Sequence, residues 1–164
     1  MTARSRRASL LAALAVLYIA QGVPFGFATE YLPVVLRRAH YSMAAMGAVM
    51  LLQLPWQLKI FWAGVADRPF ARMRTRGILL FAQILLGLVI SCFAIVPFES
   101  APTLWFVLTA VAALVASTQD VFVDATAVRT LSVSDRGLGN TAQVAGYRLG
   151  MLFGGAWLLL LIGR

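Results

Sequence analysis

The chain has 164 residues, of which 61% are hydrophobic and only 12% are charged. A soluble domain has about a quarter charged residues, so the composition indicates an integral membrane protein. The formal net charge of +8 does not indicate a nucleic-acid partner, because the arginines are concentrated in short links between apolar segments. One cysteine and one histidine provide neither a disulfide framework nor a metal cluster, and we expect no metal and no cofactor.

Five apolar segments are long enough to cross a bilayer, for which an α-helix needs about 20 residues. A transmembrane β-barrel would need alternating strands of about ten residues, and the sequence lacks that alternation. The predicted fold class is therefore all-α integral membrane. The five predicted helices are Ala8–Leu36, Met43–Ala66, Gly77–Pro97, Thr103–Thr130 and Thr141–Gly163.

The first helix follows a basic N-terminus, and this stretch also resembles a signal peptide. Its apolar character continues to Leu36, further than a signal peptide needs, which favours a first membrane helix. Pro24 interrupts helix one and Pro55 interrupts helix two. Helix breakers are tolerated in membranes where neighbours or a cavity satisfy the backbone, so we expect either packing kinks or unwound segments that line a cavity.

The basic residues predict the topology. Arginines before helix one, four arginines between helices two and three, and Arg136 before helix five fall on one side once the helices alternate. Short loops rich in lysine and arginine stay in the cytoplasm. The N-terminus is therefore predicted to be cytoplasmic.

Four ionisable residues fall inside the predicted helices at a similar depth, on the cytoplasmic side of the midplane: Lys59, Asp120, Asp124 and Arg148. Such residues usually face the bundle interior, where they pair or carry protons and substrates. Asp120 and Asp124 share one helix face. Matching depths predicts an Asp124–Arg148 ion pair, which leaves Asp120 as the proton carrier. The alternative is a purely structural charge network.

Helix two places Trp56 and Trp62 three residues either side of Lys59. Their rings are predicted to cover the lysine stem or to stack on its ammonium, with ordinary packing or interfacial anchoring as the alternative.

Helix five carries Gly146, Gly150 and Gly154 at four-residue spacing, which lets two helix backbones approach closely. Arg148 lies about 200° around the helix from these glycines, so it is predicted to line a polar interior. Transporters are usually built from repeated bundles. An odd fifth helix at the end of the chain therefore suggests a missing sixth helix and a fragment of a longer protein.

Four blocks spread over the helices carry a family resemblance: "YIAQGVPFGFATEYLP", "LPWQLKIFWAGVADR", "STQDVFVDA" and "DRGLGNTAQVAGYRLG". They resemble AmpG-type muropeptide permeases and the related acetyl-coenzyme A transporters. The link "GVADRPFARMRTRG" is similar to the loop signature between helices two and three of the major facilitator superfamily, to which those permeases belong. One departure is Gly64, where the family usually has a proline.

The resemblance implies a twelve-helix, proton-coupled transporter with two six-helix halves, of which this chain resembles most of the N-terminal half. AmpG-type permeases import anhydro-muropeptides into the cytoplasm, which implies a multi-pass protein of the bacterial inner membrane. The implied partners are the lipid bilayer, a small polar solute, protons, and the missing C-terminal half or a second copy. No enzyme is predicted, because no nucleophile or metal set is present. The alternative function is a non-transporting, truncated membrane module.

The candidate site residues fall into three groups. Proton coupling is assigned to Asp120 and Asp124, and substrate binding to Lys59, Arg148, Gln21 and Gln57. The resemblance implies a cytoplasmic gate formed by Asp67, Arg68, Arg72 and Arg74.

Overall fold

The computed structural model describes residues 3–162, without the side chains of residues 3–4, 70–72 and 162. Within these residues the chain is helical and has no strand. Five helical spans are long and apolar enough to cross a membrane, which confirms the predicted fold class. Spans 1 to 5 are Ser5–Arg38, Met43–Asp67, Met73–Ile95, Pro102–Thr130 and Val133–Leu161.

Each span is built from one or more helical segments. Span 1 joins the α-helices Ala3–Gly26 and Leu32–Arg38 through a π-helical turn, Phe27–Tyr31. Span 2 alternates short α-helices and 3₁₀ turns, in the order Met43–Val49, Met50–Gln53, Leu54–Leu58, Ile60–Ala63 and Gly64–Asp67. Spans 3 and 4 are single helices, Pro69–Ile95 and Pro102–Thr130. Span 5 contains Val133–Asp135, Arg136–Leu152, the π-helical turn Phe153–Trp157, and Leu158–Ile162.

Three predicted helix starts were wrong. The first helix begins at Ala3 rather than Ala8. Span 3 belongs to a helix that begins at Pro69 rather than Gly77, because Arg68 is extended and the proline occupies the first helical turn, where its missing N–H is harmless. The basic link is therefore mostly helical. The helix of span 5 begins at Arg136 rather than Thr141. Its predicted end, Gly163, lies outside the described residues.

The irregular turns do not fall on the prolines themselves. Span 1 stays α-helical through Pro24 and widens into its π turn three residues later. In span 2 a 3₁₀ turn ends at Gln53, and Pro55 then occupies the first turn of the next short helix. The disturbance thus lies beside each proline, where neighbouring turns adjust their hydrogen bonds.

Spans 1 and 5 pack most extensively against each other, and glycines explain their closeness. A Cβ added at Gly150 would stand 2.8 Å from the Cα of Gly22, and one added at Gly146 would stand 2.8 Å from the carbonyl oxygen of Ala15. Backbone atoms cannot move aside as a flexible side chain can. The glycine face predicted for helix five is therefore a packing face against span 1.

Span 4 is the central helix of the bundle. It contacts spans 1, 2 and 3, and 56% of its apolar window is buried, compared with 6% for span 2. Basic side chains gather at the end of the bundle that holds the start of span 1 and the link between spans 2 and 3; we call this the basic end. At the other end, an aromatic cluster around Phe27 and Trp105 forms the largest core.

Candidate functional site: a charged layer shared by four spans

Lys59 of span 2 lies between the two acids of span 4. Its Nζ donates to Oδ2 of Asp120 and lies 3.7 Å from Oδ2 of Asp124. The acids are one helical turn apart and therefore face the same neighbour. Asp120 is the enclosed member, with 7% of its side chain exposed, whereas Asp124 has 36% exposed. Two carboxylates thus share one ammonium, and they differ in access to solvent.

Asp124 is also held from the opposite side. Its Oδ1 accepts a hydrogen bond from the hydroxyl of Tyr18 on span 1 at 2.8 Å and another from Nε2 of Gln143 on span 5 at 3.0 Å. Hydrogen bonds to a charged acceptor are stronger than neutral ones. The two donors fix the carboxylate so that Oδ2 faces Lys59. Four spans therefore converge on this one carboxylate.

Two cavities meet at Asp124. One of about 510 Å³ lies between spans 2 and 4 and is lined by Lys59, Asp67 and Arg129 among others. The second, of about 330 Å³, lies between spans 1, 4 and 5 and is lined by Tyr18, Gln143 and Arg136 among others. Both include residues of the basic end. Asp124 is therefore the acid that faces open space on that side of the bundle.

The predicted Asp124–Arg148 ion pair is not formed. Asp124 is bound by Tyr18, Gln143 and Lys59 instead, and Arg148 has no acidic partner within residues 3–162. Gly146 and Gly150 direct one face of span 5 onto span 1, and Arg148 projects from the opposite, exposed face. Counting depth found the correct layer, but depth alone does not give the direction of a side chain around its helix.

The two predicted glutamines occupy contrasting places. Gln57 is exposed on span 2. Gln21 is fully buried one turn beyond Tyr18, and both polar atoms of its side chain lack a partner in the described part of the chain. Gln119 of span 4, which sequence reasoning missed, is also fully buried, and both polar atoms of its side chain lack a described partner. Buried amides without hydrogen-bond partners are costly. The side chains of Gln21 and Gln119 are therefore polar groups inside the bundle whose hydrogen-bonding capacity no described residue satisfies.

The predicted gate residues lie at the basic end, where spans 2 and 3 meet. Asp67, Arg68 and Arg74 are exposed there, and the side chain of Arg72 lies outside the described ones. Two further contacts connect the spans at this end. The first joins Nη1 of Arg129 to the carbonyl oxygen of Ala66 at 3.0 Å, and the second joins Arg7 to Asp135 at 2.5 Å.

The tryptophans beside Lys59 pack against other groups. The ring of Trp56 makes an edge contact with Phe25, with centroids 5.0 Å apart, and Phe25 also touches Tyr147 at 5.7 Å. Trp62 packs in a small core with Ala66 and the adjoining part of span 4. Phe25, Trp56 and Tyr147 thus form an aromatic collar, which connects spans 1, 2 and 5.

Tyr18, Gln143 and Glu30 were missed by sequence reasoning, although signals existed. Tyr18 and Gln143 are polar groups within helical spans at the depth of the acids. Glu30 is a carboxylate six residues inside the predicted end of helix one. Of the polar groups that span 1 contributes, sequence reasoning named only Gln21.

The layer contains one ammonium and two carboxylates. Across the described residues no three histidine, cysteine, aspartate or glutamate side chains gather in one group. One ammonium shared by two carboxylates can instead exchange one of its acidic partners for an external anion.

Comparisons with known proteins identify the family. The family model described as "Acetyl-coenzyme A transporter 1" matches residues 10–162. An uncharacterized protein of Haemophilus influenzae is 35% identical over 144 residues, which are 85% of this chain and 33% of that protein. The anhydromuropeptide permease of Escherichia coli K12 is 31% identical over 156 residues, 93% of this chain and 32% of the permease. A putative transporter of Rickettsia conorii, AmpG 4, is 27% identical over 151 residues, 89% of this chain and 36% of that protein.

The chain therefore spans about a third of the length of these relatives. No solved structure matches it.

Proposed function

Because the chain belongs to the acetyl-coenzyme A transporter family, together with the AmpG-type permeases, we propose that it serves proton-coupled transport of a polar, anionic solute. The observation that carries this proposal is the sharing of Lys59 by Asp120 and Asp124 beside two cavities. The Escherichia coli relative is a permease for anhydromuropeptides by name, and a muropeptide is the solute we propose to test first.

The coupling follows from competition for one ammonium. Lys59 compensates two carboxylates, so the site has an excess of one negative charge when both are ionised. A solute anion that binds Lys59 removes this compensation, and carboxylates without a cation are costly in a membrane. Proton uptake by one acid restores the balance. Solute binding and proton binding thereby favour each other.

We assign proton exchange with the basic end to Asp124, since both cavities reach it, and a relay to Asp120 through their common contact with Lys59. From the sequence, proton coupling was assigned to both acids, and Asp120 was named as the proton carrier because Asp124 was expected to pair with Arg148. That pair is not formed, which removes the reason for preferring Asp120. Lys59, Arg148, Gln21 and Gln57 remain the proposed solute-binding residues, and Asp67, Arg68, Arg72 and Arg74 the proposed gate. Because arginine-rich links stay in the cytoplasm, we place the chain in a bacterial inner membrane with its basic end on the cytoplasmic side.

The test is uptake of labelled anhydro-muropeptide into vesicles that contain the complete transporter. Replacing Asp124 by Asn is expected to abolish accumulation driven by an imposed pH gradient while solute exchange between the two sides continues. Asp135→Asn is the matched control, because Asp135 binds Arg7 at the basic end, away from the charged layer. Gradient-driven accumulation at the wild-type rate in both Asp124→Asn and Asp120→Asn would show that the two acids are structural and do not couple proton movement to uptake.

A further inference from the structure

Glu30 is a membrane-depth carboxylate that the charged layer does not use. It lies within the π-helical turn of span 1, eight residues before the end of that span, and it is half-buried. No hydrogen bond or ion pair joins it to another of the described residues. Carboxylates at such depth normally pair with a cation or face a solute pathway. Glu30 therefore needs a counter-charge that the described chain does not supply.

The position of Glu30 is fixed by two irregular turns that face each other. The π turn of span 1 packs against the π turn Phe153–Trp157 of span 5. The side chain of Glu30 lies across Gly155: a Cβ added there would stand 2.8 Å from Cβ and 2.9 Å from Cδ of Glu30. A larger residue at position 155 would push the acid away. The glycine thus gives the carboxylate a defined seat, as a pre-organised binding group requires.

The turn packs against its own continuations in span 1, the helices Ala3–Gly26 and Leu32–Arg38, and against two turns of other spans. Those two are the π turn of span 5 and the 3₁₀ turn Met50–Gln53 of span 2, and neither contains an acidic or basic residue. Within span 1, Tyr31 is the adjoining titratable group, and Arg37 and Arg38 follow only at the exposed end of the span. Arg37 lies about 10 Å further along the helix axis. Neither of the two turns from spans 2 and 5 contributes a basic side chain that could neutralise Glu30.

The aromatic collar separates Glu30 from the charged layer. Phe25, at the centre of the collar, is five residues before Glu30 and seven after Tyr18. Twelve residues separate Tyr18 from Glu30, which is about 18 Å along a helix. A solute that approaches from the end opposite the basic end meets an acid first, then the collar, and then the ammonium of Lys59.

We propose that Glu30 is a binding site for an organic ammonium group. A metal ion is the weaker candidate, because Ca²⁺ takes six to eight oxygen ligands and the described residues place no cluster of three acidic, histidine or cysteine side chains here. A single seated carboxylate is instead the partner that one ammonium group needs. The solute class that follows carries an amine as well as an acidic group; this extension to the solute rests on the proposed transport function, whereas ammonium binding does not.

The test measures binding without transport. The complete transporter is purified in detergent, and thermal unfolding is followed by tryptophan fluorescence while propylammonium chloride is titrated against matched sodium chloride and neutral 1-propanol. Propylammonium is expected to raise the unfolding temperature saturably, as a ligand of the folded state must. Glu30→Gln is expected to weaken this binding about tenfold or more, equivalent to at least 1.4 kcal/mol.

Two further variants test the same proposal if Glu30→Gln fails to fold. Glu30→Asp keeps the charge but withdraws it from its seat, and Gly155→Ala displaces the carboxylate while leaving it in the chain; both should weaken propylammonium binding. Absence of a shift in the wild type, an equal shift in all variants, or an equal Glu30-dependent shift with sodium would each overturn the proposal. Because no gradient is involved, these outcomes do not depend on whether the acids of span 4 couple protons.

Discussion

Replacing Lys59 by Gln is expected to destabilise the protein more than replacing either acid. Only 7% of the Asp120 side chain is exposed, and the substitution leaves this buried carboxylate without a cation. Removing one partner of a buried ion pair costs about 3–5 kcal/mol. Lys59 itself is 32% exposed, so we take the lower end of this range, about 3 kcal/mol. For a chain of this size, that corresponds to an unfolding temperature lower by about 6–12 °C.

The partner substitution should cost less. In Asp120→Asn, Lys59 keeps Asp124 at 3.7 Å and is partly hydrated, so the loss is about 1–2 kcal/mol. The double variant Lys59→Gln/Asp120→Asn replaces the pair by two neutral amides and removes the uncompensated buried charge. It should therefore be more stable than Lys59→Gln alone, with a coupling energy of about 2 kcal/mol.

The assay is thermal unfolding in detergent, read by a thiol-reactive fluorogenic dye. Cys92 is the single cysteine of the chain and is half-buried in span 3, so it reports unfolding without further engineering. Gln57→Met is the matched control, because it removes an exposed polar side chain two positions from Lys59. Losses that simply add in the double variant would refute the reasoning, since independent sites add and coupled ones do not.

The same assay checks three further predictions. Gly150→Ala should lower stability by about 1–3 kcal/mol or more, because the new methyl meets the backbone of span 1 and overpacking is costly. Gly87→Ala is its control: no heavy atom outside the helix backbone lies within 4 Å of a Cβ added there, so the variant should gain up to about 1 kcal/mol in helix propensity, and equal losses in both would contradict the packing argument. Tyr18→Phe removes a donor to a carboxylate from a side chain that is 1% exposed, and a loss of about 1.5–3 kcal/mol is expected; an unchanged unfolding temperature would show that this hydrogen bond contributes nothing. Arg129→Gln removes the contact with the carbonyl of Ala66, but since Arg129 is exposed the loss should stay below about 1.5 kcal/mol, and a larger fall would indicate a more buried role.

Apolar length alone located all five spans, because a bilayer imposes a minimum length on any helix that crosses it. The helix starts were harder to predict. Pro69 and the arginines after it read as a polar link, yet proline suits a first helical turn and arginine favours helices. Hydropathy reports where a helix can lie in lipid and does not report where it begins.

Most residues of the charged layer were predicted, but their ion pairs were not. Lys59, Asp120 and Asp124 were recognised as ionisable groups at one depth, and the structure brings them together. Arg148 was predicted to join them and does not. The glycines correctly placed it on the face opposite span 1, but within the described residues that face of span 5 is exposed rather than turned toward Asp124. Tyr18 completes the site from span 1, and its contact with span 4 spans 106 positions of sequence, beyond the reach of local pattern.

The facing π turns of spans 1 and 5 constrain how the length of this chain can vary. Each π turn accommodates one residue more than an α-helical turn, which rotates everything beyond it by about 100°. Since the two turns pack at one level, both helices change phase together and remain in register up to their far ends. A single-residue deletion in one turn alone would swing Glu30 or Gly155 off the shared contact, whereas matched deletions would keep the two helices in phase. Insertions or deletions in one of these two turns should accordingly be matched by an equal change in the other.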